Sequence, residues 1–370
     1  MTLWVLSDLH LGDATVAPMF HEERQGKAIE ALCARIEAEG NGELVLLGDV
    51  FDLTGMTPPK RGLPAFARKM GIALPDPPER SPRETCAATR RRHERTLTAI
   101  AALSRTAKVT LVPGNHDWAL GEGEGATALA AAGLEGVAIE PRLSRVVAEK
   151  TISLMHGHEL DDDNAAPGGS GETLTRVLHH AIVPMLERLP SRPNVAIDPL
   201  RVVCLRPEER IVPLMQRWLS RKQFEAFVDA LLDLMVDNGA LSRVKAWLTT
   251  PEKLREKLDD ADDLWERVGA YARDRLTDRE SPDVLVYGHT HVPDWSLEDR
   301  DDAQVVYANL GSWTDRATDA VGPFDRTLPV LRIGDDARGL RATMEDLASG
   351  DVLETFDHAH RPGGAPVALP

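Results

Sequence analysis

The sequence predicts an α/β fold in which two β-sheets pack as a sandwich flanked by helices. Four short runs are almost continuously apolar, which is typical of strands covered on both faces. Helical patterns separate the early runs, and strand–helix–strand alternation indicates an α/β unit. Later strand-like segments follow one another without helices and predict a second sheet. The four apolar runs are residues 3–6, 44–47, 109–112 and 284–287.

Two helices are predicted beside these strands. In the first, residues 25–39, apolar residues recur at the i, i+3, i+4 and i+7 spacing of one helix face, and Gly40 stands at the expected C-cap. The second helix spans residues 87–104 and precedes the third apolar run. The segments that predict the second sheet are residues 145–148, 151–155, 304–308, 328–333 and 340–345.

Two insertions interrupt this plan and define the expected domains. Residues 57–95 are rich in proline and hold ten Lys/Arg against four Asp/Glu, a net charge of +6. Residues 164–280 are mostly helical in pattern, and we interpret them as an inserted helical cap. The core then comprises residues 1–163 and 281–348. The Gly/Pro/Ala-rich residues 349–370 are expected to form a flexible tail.

Three local signals stand out in the helical insertion. Pro184 is expected to kink a helix whose apolar stripe covers residues 174–186. Asn238-Gly239 is expected to end a second helix. Thr250-Pro251 is typical of a helix start, with proline at the first helical position.

Composition excludes several classes of protein. The chain has 370 residues and is 42% hydrophobic, so a sizeable core is expected and disorder is not. Its net charge of −16 argues against a protein that coats nucleic acid, because phosphate backbones require a basic footprint. Cys33, Cys86 and Cys204 show no CxxC spacing, so no disulfide framework or zinc knuckle is expected. Because no secretory leader and no membrane span are visible, we expect a cytoplasmic protein with reduced cysteines.

Polar residues follow the ends of five predicted strands. Ligands bind outside the carboxyl ends of strands in open α/β sheets, so these residues are expected to converge on one site. The glycines before Asp49, Asn115 and His289 allow ligands to lie close to the backbone. The five groups are Asp8-Leu9-His10, Gly48-Asp49-Val50-Phe51-Asp52, Gly114-Asn115-His116-Asp117, His156-Gly157-His158 and Gly288-His289-Thr290-His291.

The donor set predicts a two-metal hydrolytic site. It offers carboxylates, imidazoles and one amide oxygen but no thiolate, which suits manganese first, with iron or zinc as alternatives. Two divalent ions bring four positive charges, and Asp8 and Asp49 return two negative ones. The remaining positive charge favours a phosphoryl group as the substrate's reacting centre.

These five motifs, in this order, resemble those of calcineurin-like metallophosphoesterases over residues 1–160 and 282–313. The resemblance implies a four-layer α/β/β/α sandwich and a dinuclear metal-dependent phosphoric ester hydrolase. Its substrate would be a phosphomonoester, a phosphodiester or a pyrophosphate. The runs at residues 7–12 and 288–293 also resemble the UDP-2,3-diacylglucosamine pyrophosphatase branch, which commonly has arginine where this chain has His116.

The resemblance also implies a role for each residue. A metal-bridging hydroxide would attack phosphorus, and His116 would stabilise the developing charge or protonate the leaving oxygen. Asp117 would orient His116, and Asp52 would support the site through a hydrogen bond. The metal ligands would be Asp8, His10 and His291 for one ion, Asn115, His156 and His289 for the other, and Asp49 between them.

Several residues near the motifs keep more than one interpretation. His158 could replace His156 as a ligand, support the substrate or the motif loop from outside the ligand set, or be only a local hydrogen-bonding group. Residues 161–163 are acidic and are expected to be solvated. The most basic cluster either grips an anionic substrate away from the metals or forms a solvated helix face. Its residues are Arg90, Arg91 and Arg92.

Two alternative functions remain beside hydrolysis of a small phosphorylated or nucleotide-linked substrate. The first is a nuclease, which the acidic net charge disfavours and the basic insertion favours. The second is a non-catalytic scaffold that uses the helical insertion for protein contacts. Both alternatives keep the same fold and differ only in what the strand-end residues do.

Overall fold

A computed structural model of the chain has the predicted two-sheet architecture. It describes residues 1–74, 79–189, 198–205, 210–240, 264–278, 280–301, 303–317, 322–336 and 339–359. The strands are β1 (Thr2–Leu6), β2 (Gly42–Leu47), β3 (Lys108–Val112), β4 (Ala138–Ile139), β5 (Leu143–Val147), β6 (Lys150–Leu154), β7 (Val284–Tyr287), β8 (Pro293–Arg300), β9 (Ala303–Leu310), β10 (Pro329–Asp336), β11 (Gly339–Asp346) and β12 (Val352–Ala359). The helices are α1 (Lys27–Glu39), α2 (Leu63–Met70), α3 (Pro82–Arg92), α4 (Glu94–Leu103), α5 (Gly125–Ala131), α6 (Ser170–Val177), α7 (Val183–Arg188), α8 (Pro199–Val203), α9 (Ile211–Trp218), α10 (Arg221–Asp237) and α11 (Leu264–Leu276).

The first sheet places β1 near its centre. Its strand order is β12-β11-β10-β1-β2-β3-β4, with β1 to β4 parallel and β10 antiparallel to β1. The second sheet has the order β5-β6-β7-β9-β8. Leu3 and Val5 of β1 pack against the second sheet, whereas Trp4 and Leu6 pack against helices. Alternate residues therefore bury opposite faces, which explains the continuous apolar runs.

Helices cover the outer face of each sheet and complete the four layers. Ile29 and Ile36 of α1 join the apolar cluster around Trp4 on the first sheet. Val268 and Leu276 of α11 pack on the outer face of the second sheet. The predicted α/β/β/α sandwich is therefore confirmed.

The helix predicted over residues 87–104 is wrong in one respect, because it breaks at His93 into α3 and α4. His93 has φ −115° and ψ 43°, outside the α-helical region. Its buried ring contacts the Gly12 carbonyl oxygen through Nε2 at 2.8 Å and the Glu22 carboxylate through Nδ1 at 3.2 Å. These contacts to the connection between β1 and α1 stabilise the break.

Three strands differ from the sequence prediction. The flexible tail predicted from residue 349 is wrong for β12, which pairs antiparallel with β11 and places Thr343 opposite Thr355. Residues 360–370 lie outside the described residues. β4 has only two residues, and β8 mixes charged with apolar positions, so neither shows the apolar pattern of a covered strand.

The two insertions share one apolar cluster. Leu63 and Phe66 of α2, in the basic insertion, pack with Leu174 of α6 and with Phe227 and Leu231 of α10. Their side chains lie away from the sandwich cores. Helices α6 to α10 therefore bury their apolar residues chiefly against each other and against α2, whereas α11 packs on the second sheet.

The disturbance predicted at Pro184 takes the form of a π-helical turn, Leu178–Ile182, between α6 and α7. Pro184 has no N–H to donate to the carbonyl four residues earlier, which explains the wider turn. The predicted helix end at Asn238-Gly239 is confirmed, and the predicted helix start at Thr250-Pro251 lies outside the described residues. In the part of the chain that the structure describes, no helix combines the length and apolar character needed to cross a membrane.

Candidate metal centre

The five predicted strand ends bring their polar side chains to one edge of the sandwich. Among the described residues, three groups of side chains have donor atoms that all lie within 4.8 Å of one another. Asp49 belongs to two of these groups. The groups are Asp8–His10–His291, His10–Asp49–His116 and Asp49–His156–His289.

The first group surrounds the Asp8 carboxylate. Nε2 of His291 lies 3.2 Å from Asp8 Oδ1, and Nε2 of His10 lies 3.7 Å from the same oxygen. The two Nε2 atoms are 3.1 Å apart. His10 Nε2 is also 3.8 Å from Asp49 Oδ2, so this group adjoins the next one.

The second set of predicted ligands lies on the other side of Asp49. His156 Nε2 is 3.2 Å from Asp49 Oδ2, and the rings of His156 and His289 are 5.4 Å apart. Within the described residues, Asp8 Oδ1, Asn115 Oδ1 and His156 Nε2 are buried and have no hydrogen-bond partner. Buried donors and acceptors without partners are destabilising, and divalent cations bound in the two predicted ligand sets would satisfy all three atoms. The residues present therefore fit a metal centre.

The backbone at the ligand positions is strained. Among the described residues, eight non-glycine residues have positive φ, and five of them are predicted ligands, with φ between 47° and 69°. Aspartate and histidine tolerate this left-handed region better than most residues do. Such strain persists where surrounding structure fixes it, and it is common at functional sites. These five predicted ligands are Asp8, His10, Asp49, His289 and His291.

Three glycines leave room for the ligands, as predicted. A Cβ at Gly48, which has φ 81°, would lie 2.1 Å from His156 Nδ1. A Cβ at Gly114 would lie 2.3 Å from Asp49 Oδ1, and one at Gly288 would lie 2.7 Å from Asp8 Oδ2. At these last two positions the requirement is for space and not for a positive φ.

In two of the predicted ligand histidines, an acceptor contacts one ring nitrogen and so orients the ring. His156 Nδ1 lies 2.9 Å from the Leu47 carbonyl oxygen, which fixes Nε2 as the nitrogen that faces Asp49. His289 Nε2 lies 3.1 Å from Asp161 Oδ2. The prediction that Asp161 is solvated is therefore wrong, because an acceptor of this kind orients a metal-binding histidine.

The carboxylates and imidazoles of the site stabilise each other's charged forms. Burial alone would raise the pKa of Asp8 and of Asp49, but neighbouring histidines, above all His156, hold both well below the usual aspartate range. Burial opposes the charged form of His156, yet Asp49 and Asp8 raise its pKa to about 10. The site thus attracts positive charge, as a metal centre requires.

His116 is oriented by Asp52. Its Nδ1 lies 2.8 Å from Asp52 Oδ1, and Asp52 is fully buried. Asp117 instead holds the backbone that carries the ligands, and burial together with the Asp49 charge raises its pKa to about 6. The Asp117 carboxylate accepts hydrogen bonds at 2.7–3.3 Å from the N–H groups of Asp49, Val50, Phe51 and Gly114. The structure therefore gives the orienting role predicted for Asp117 to Asp52.

The helical insertion also contributes a histidine to this region. His179, in the π-helical turn, places Nε2 3.4 Å from Asp52 Oδ2. The adjacent His180 has Nε2 2.9 Å from the Gly55 carbonyl oxygen. Sequence analysis missed both residues, because a histidine pair on an apolar helix carries no motif of its own.

A cleft opens beside His116. Arg80 of the basic insertion, Arg176 of α6 and Trp118 lie in its wall. Arg80 pairs with Asp13, and Arg176 pairs with Glu172 of the same helix. A carboxylate therefore matches the positive charge of each arginine in this wall.

The arginines predicted to grip an anion do not line this cleft. The Arg90 guanidinium lies over Gly133, where an added Cβ would be 2.6 Å from its Cζ. Arg91 Nη1 donates to the Ala87 carbonyl of its own helix at 3.2 Å. Arg92 donates to a backbone carbonyl of the loop after β1. Arg90 and Arg91 are exposed, which agrees with the second interpretation, a solvated helix face, whereas Arg92 is partly buried against the loop.

His158 stays close to the second ligand set. Its ring lies 5.5 Å from the ring of His156, and its Nδ1 lies 3.6 Å from the Glu159 carboxylate. Burial and the charge of His156 lower the pKa of His158 to about 4. A supporting role outside the ligand set stays a prediction for this residue.

The sequence model of one protein family, described as calcineurin-like phosphoesterase, matches residues 1–293 of the chain. No curated protein matches the sequence. The match spans all five motifs and both insertions, and it covers well over half of the 370 residues.

Several solved structures resemble the fold. A dimetal phosphatase from Danio rerio has 13% identity and a TM-score of 0.40, with 98% of this chain and 99% of that chain covered. A Vps29 from Entamoeba histolytica complexed with zinc has 14% identity and a TM-score of 0.32, with coverage of 96% and 99%. A purple acid phosphatase from yellow lupin has 11% identity and a TM-score of 0.35, with coverage of 96% and 53%. Because these identities and TM-scores are low, the assignment of the chain to a family depends on the family match and on the residues of the site.

Proposed function

We propose, since this chain belongs to the calcineurin-like phosphoesterase family, that it hydrolyses a small phosphomonoester, phosphodiester or pyrophosphate with two divalent metal ions. One observation carries this proposal: Asp49 belongs to two histidine-containing groups, and within each group the donor atoms all lie within 4.8 Å of one another. Manganese is the ion that we expect first for this oxygen- and nitrogen-rich set, with iron or zinc as alternatives.

The ligands divide into two sets around a shared carboxylate. When bound, the metal ions would supply a nucleophile at neutral pH and positive charge for the phosphoryl oxygens. Asp49 is suited to contact both ions because its carboxylate borders both sets. The ions would be held by Asp8, His10 and His291 on one side and by Asn115, His156 and His289 on the other.

The remaining residues would act on the substrate or hold the ligands. His116 lines the cleft and its Nδ1 is engaged by Asp52, so Nε2 would be the ring nitrogen that acts on the substrate's oxygens. Asp117 fixes the backbone of the loops that carry Asp49 and Asn115. Since His116 would protonate the leaving oxygen, the cleft beside it would receive the leaving group.

The electrostatics of the cleft favour a small substrate over nucleic acid. Arg80 and Arg176 each have a carboxylate partner, and the whole chain carries a net charge of −16. A nuclease groove needs a continuous basic track along the backbone. The contacts of Arg90, Arg91 and Arg92 do not extend such a track from the cleft.

The manganese-loaded protein should be assayed on a nitrophenyl monoester, a nitrophenyl diester, single-stranded DNA and a nucleotide-sugar pyrophosphate. Asp49→Ala should abolish hydrolysis, and Glu37→Ala, which removes an exposed acid on α1, should leave it unchanged. Hydrolysis that survives in Asp49→Ala would not come from this site. Inactivity on all four substrates would favour the non-catalytic scaffold, and selective cleavage of DNA would favour the nuclease.

A further inference from the structure

The π-helical turn between α6 and α7 brings His179 against Asp52, the carboxylate that orients His116. Oδ1 of Asp52 accepts from the Gly55 N–H at 2.8 Å and contacts His116 Nδ1 at 2.8 Å. Within the described part of the chain, the other oxygen, Oδ2, is buried without a hydrogen bond. His179 Nε2 lies 3.4 Å from this second oxygen, slightly beyond normal hydrogen-bond distance.

The chemistry of the contact fixes its direction. An ionised carboxylate only accepts hydrogen bonds, so the His179 Nε2–H is the donor. Burial lowers the pKa of His179 to about 4, more than the charge of Asp52 raises it, so this imidazole is neutral near pH 7. Burial raises the pKa of Asp52, but His116 and then His179 outweigh that effect and lower it. A neutral donor against an ionised acceptor needs only a small ring movement to complete the bond.

A second contact joins the same turn to the loop of Asp52. His180, the next residue, contacts the carbonyl oxygen of Gly55, whose N–H binds Asp52. Both histidines are nearly fully buried in the π-helical turn, and Pro184 accounts for that turn. The helical insertion thus contacts the loop of Asp52 at two neighbouring points.

We infer that His179 is a positioning residue, which holds Asp52 so that Asp52 directs the His116 ring at the leaving oxygen. This inference rests on the proposed hydrolytic function, and it makes the helical insertion part of the catalytic apparatus. Because His116 would act on the leaving group, a poorly held ring should slow esters with basic leaving groups more than activated esters.

The kinetic test compares phenyl phosphate with nitrophenyl phosphate, or the matching diesters if only diesters are cleaved. His179→Ala should lower kcat on the phenyl ester by about tenfold and on the nitrophenyl ester by less than about threefold, with KM unchanged. His179→Gln, whose amide N–H can occupy the position of Nε2, should recover most of the loss. In an Asp52→Asn background, His179→Ala should add little, since the two act through the same group.

His180→Ala is the matched control, because it removes the neighbouring buried imidazole but leaves the contact to Asp52. It should lower the melting temperature without changing the ratio of phenyl to nitrophenyl rates. If His180→Ala gives the same change in that ratio, or if His179→Ala lowers both rates equally, the positioning role is refuted.

A second readout does not need activity. In ¹⁵N-histidine spectra of the metal-free protein, His179→Ala should shift and broaden the His116 ring resonances, and His180→Ala should leave them in place. An unchanged His116 spectrum in His179→Ala would overturn the inference even in an active enzyme. If the wild-type protein proves inactive, the proposed function fails, but this spectrum still decides whether His179 positions His116.

Discussion

Replacement of Gly48 by alanine tests whether this backbone position exists to seat His156. Gly48 has φ 81°, and an added Cβ would lie 2.1 Å from Nδ1 and 2.4 Å from Cγ of the His156 ring. A non-glycine residue in this conformation costs about 1 kcal/mol, and overpacking adds about 1–3 kcal/mol. Loss of the bond between His156 Nδ1 and the Leu47 carbonyl adds about 1 kcal/mol. The expected loss in the free energy of unfolding is about 3–5 kcal/mol.

Gly40→Ala is the control that removes the conformational part of this effect. Gly40 has φ 71° at the end of α1, and no atom lies within 4 Å of the Cβ that alanine would add. This variant should lose only about 1 kcal/mol, so urea unfolding of both metal-free variants should differ by about 2–4 kcal/mol. Isothermal titration with manganese should also show at least about tenfold weaker binding for Gly48→Ala alone. Equal unfolding free energies and equal manganese affinities in the two variants would refute the reasoning.

Three further predictions concern the metal, a buried ion pair and the thiols. Chelation of the metal ions should abolish hydrolysis and lower the melting temperature. Manganese at about 100 times its Kd should restore about 2.7 kcal/mol of the free energy of unfolding. A melting temperature that does not change with manganese would contradict this. Burial raises the pKa of Glu43, but hydrogen bonds from Arg145 and Thr110 outweigh this effect and lower the pKa below its usual range. The Glu43 carboxyl group therefore loses its proton more readily in the folded protein than in the unfolded chain. The ion pair therefore stabilises the fold fully above the usual glutamate pKa, and this stabilisation is lost as pH falls through the lower pKa of the folded state. Glu43→Gln should have a lower melting temperature than wild type at pH 7. A difference in melting temperature that does not shrink in acid would contradict this. Burial raises the pKa of Cys33 and of Cys86 to about 12, so neither should react with a thiol reagent at pH 8 until urea unfolds the protein, and rapid labelling of the native protein would disagree.

The convergence of the predicted ligands was predictable because each strand end carries its own local signal. The apolar run of β2, followed by glycine and Asp49, indicates a covered strand with a sharp exit, and the glycine leaves the space that the His156 ring fills. The same pattern recurs at Gly114 and Gly288. Five such ends in order place the ligands without knowledge of any side-chain contact, because the topology of the sheets joins them.

The supporting residues were not predictable in this way. Asp161 belongs to a run of three acidic residues, and only the fold shows that it meets His289, 128 positions later in the chain. His179 lies on an apolar helix, where nothing local separates it from a core histidine. Asp52, and not Asp117, contacts the His116 ring, because the Asp117 carboxylate accepts hydrogen bonds from four backbone N–H groups. These contacts depend on the conformation of the loops, which the sequence does not show.

The apolar cluster shared by the two insertions has a consequence for the order of folding. It joins Met19, Leu63, Leu174, Phe227 and Ala317, so it draws on almost the whole length of the chain. Contacts of such long range form late, because the intervening chain must first be organised. The parallel strands β1, β2 and β3, which are joined by shorter connections, can pair before this cluster closes, whereas His179 reaches Asp52 only afterwards. During refolding, native β-structure should therefore appear before full catalytic rate returns, and the interval between them measures how slowly the helices close over the sandwich.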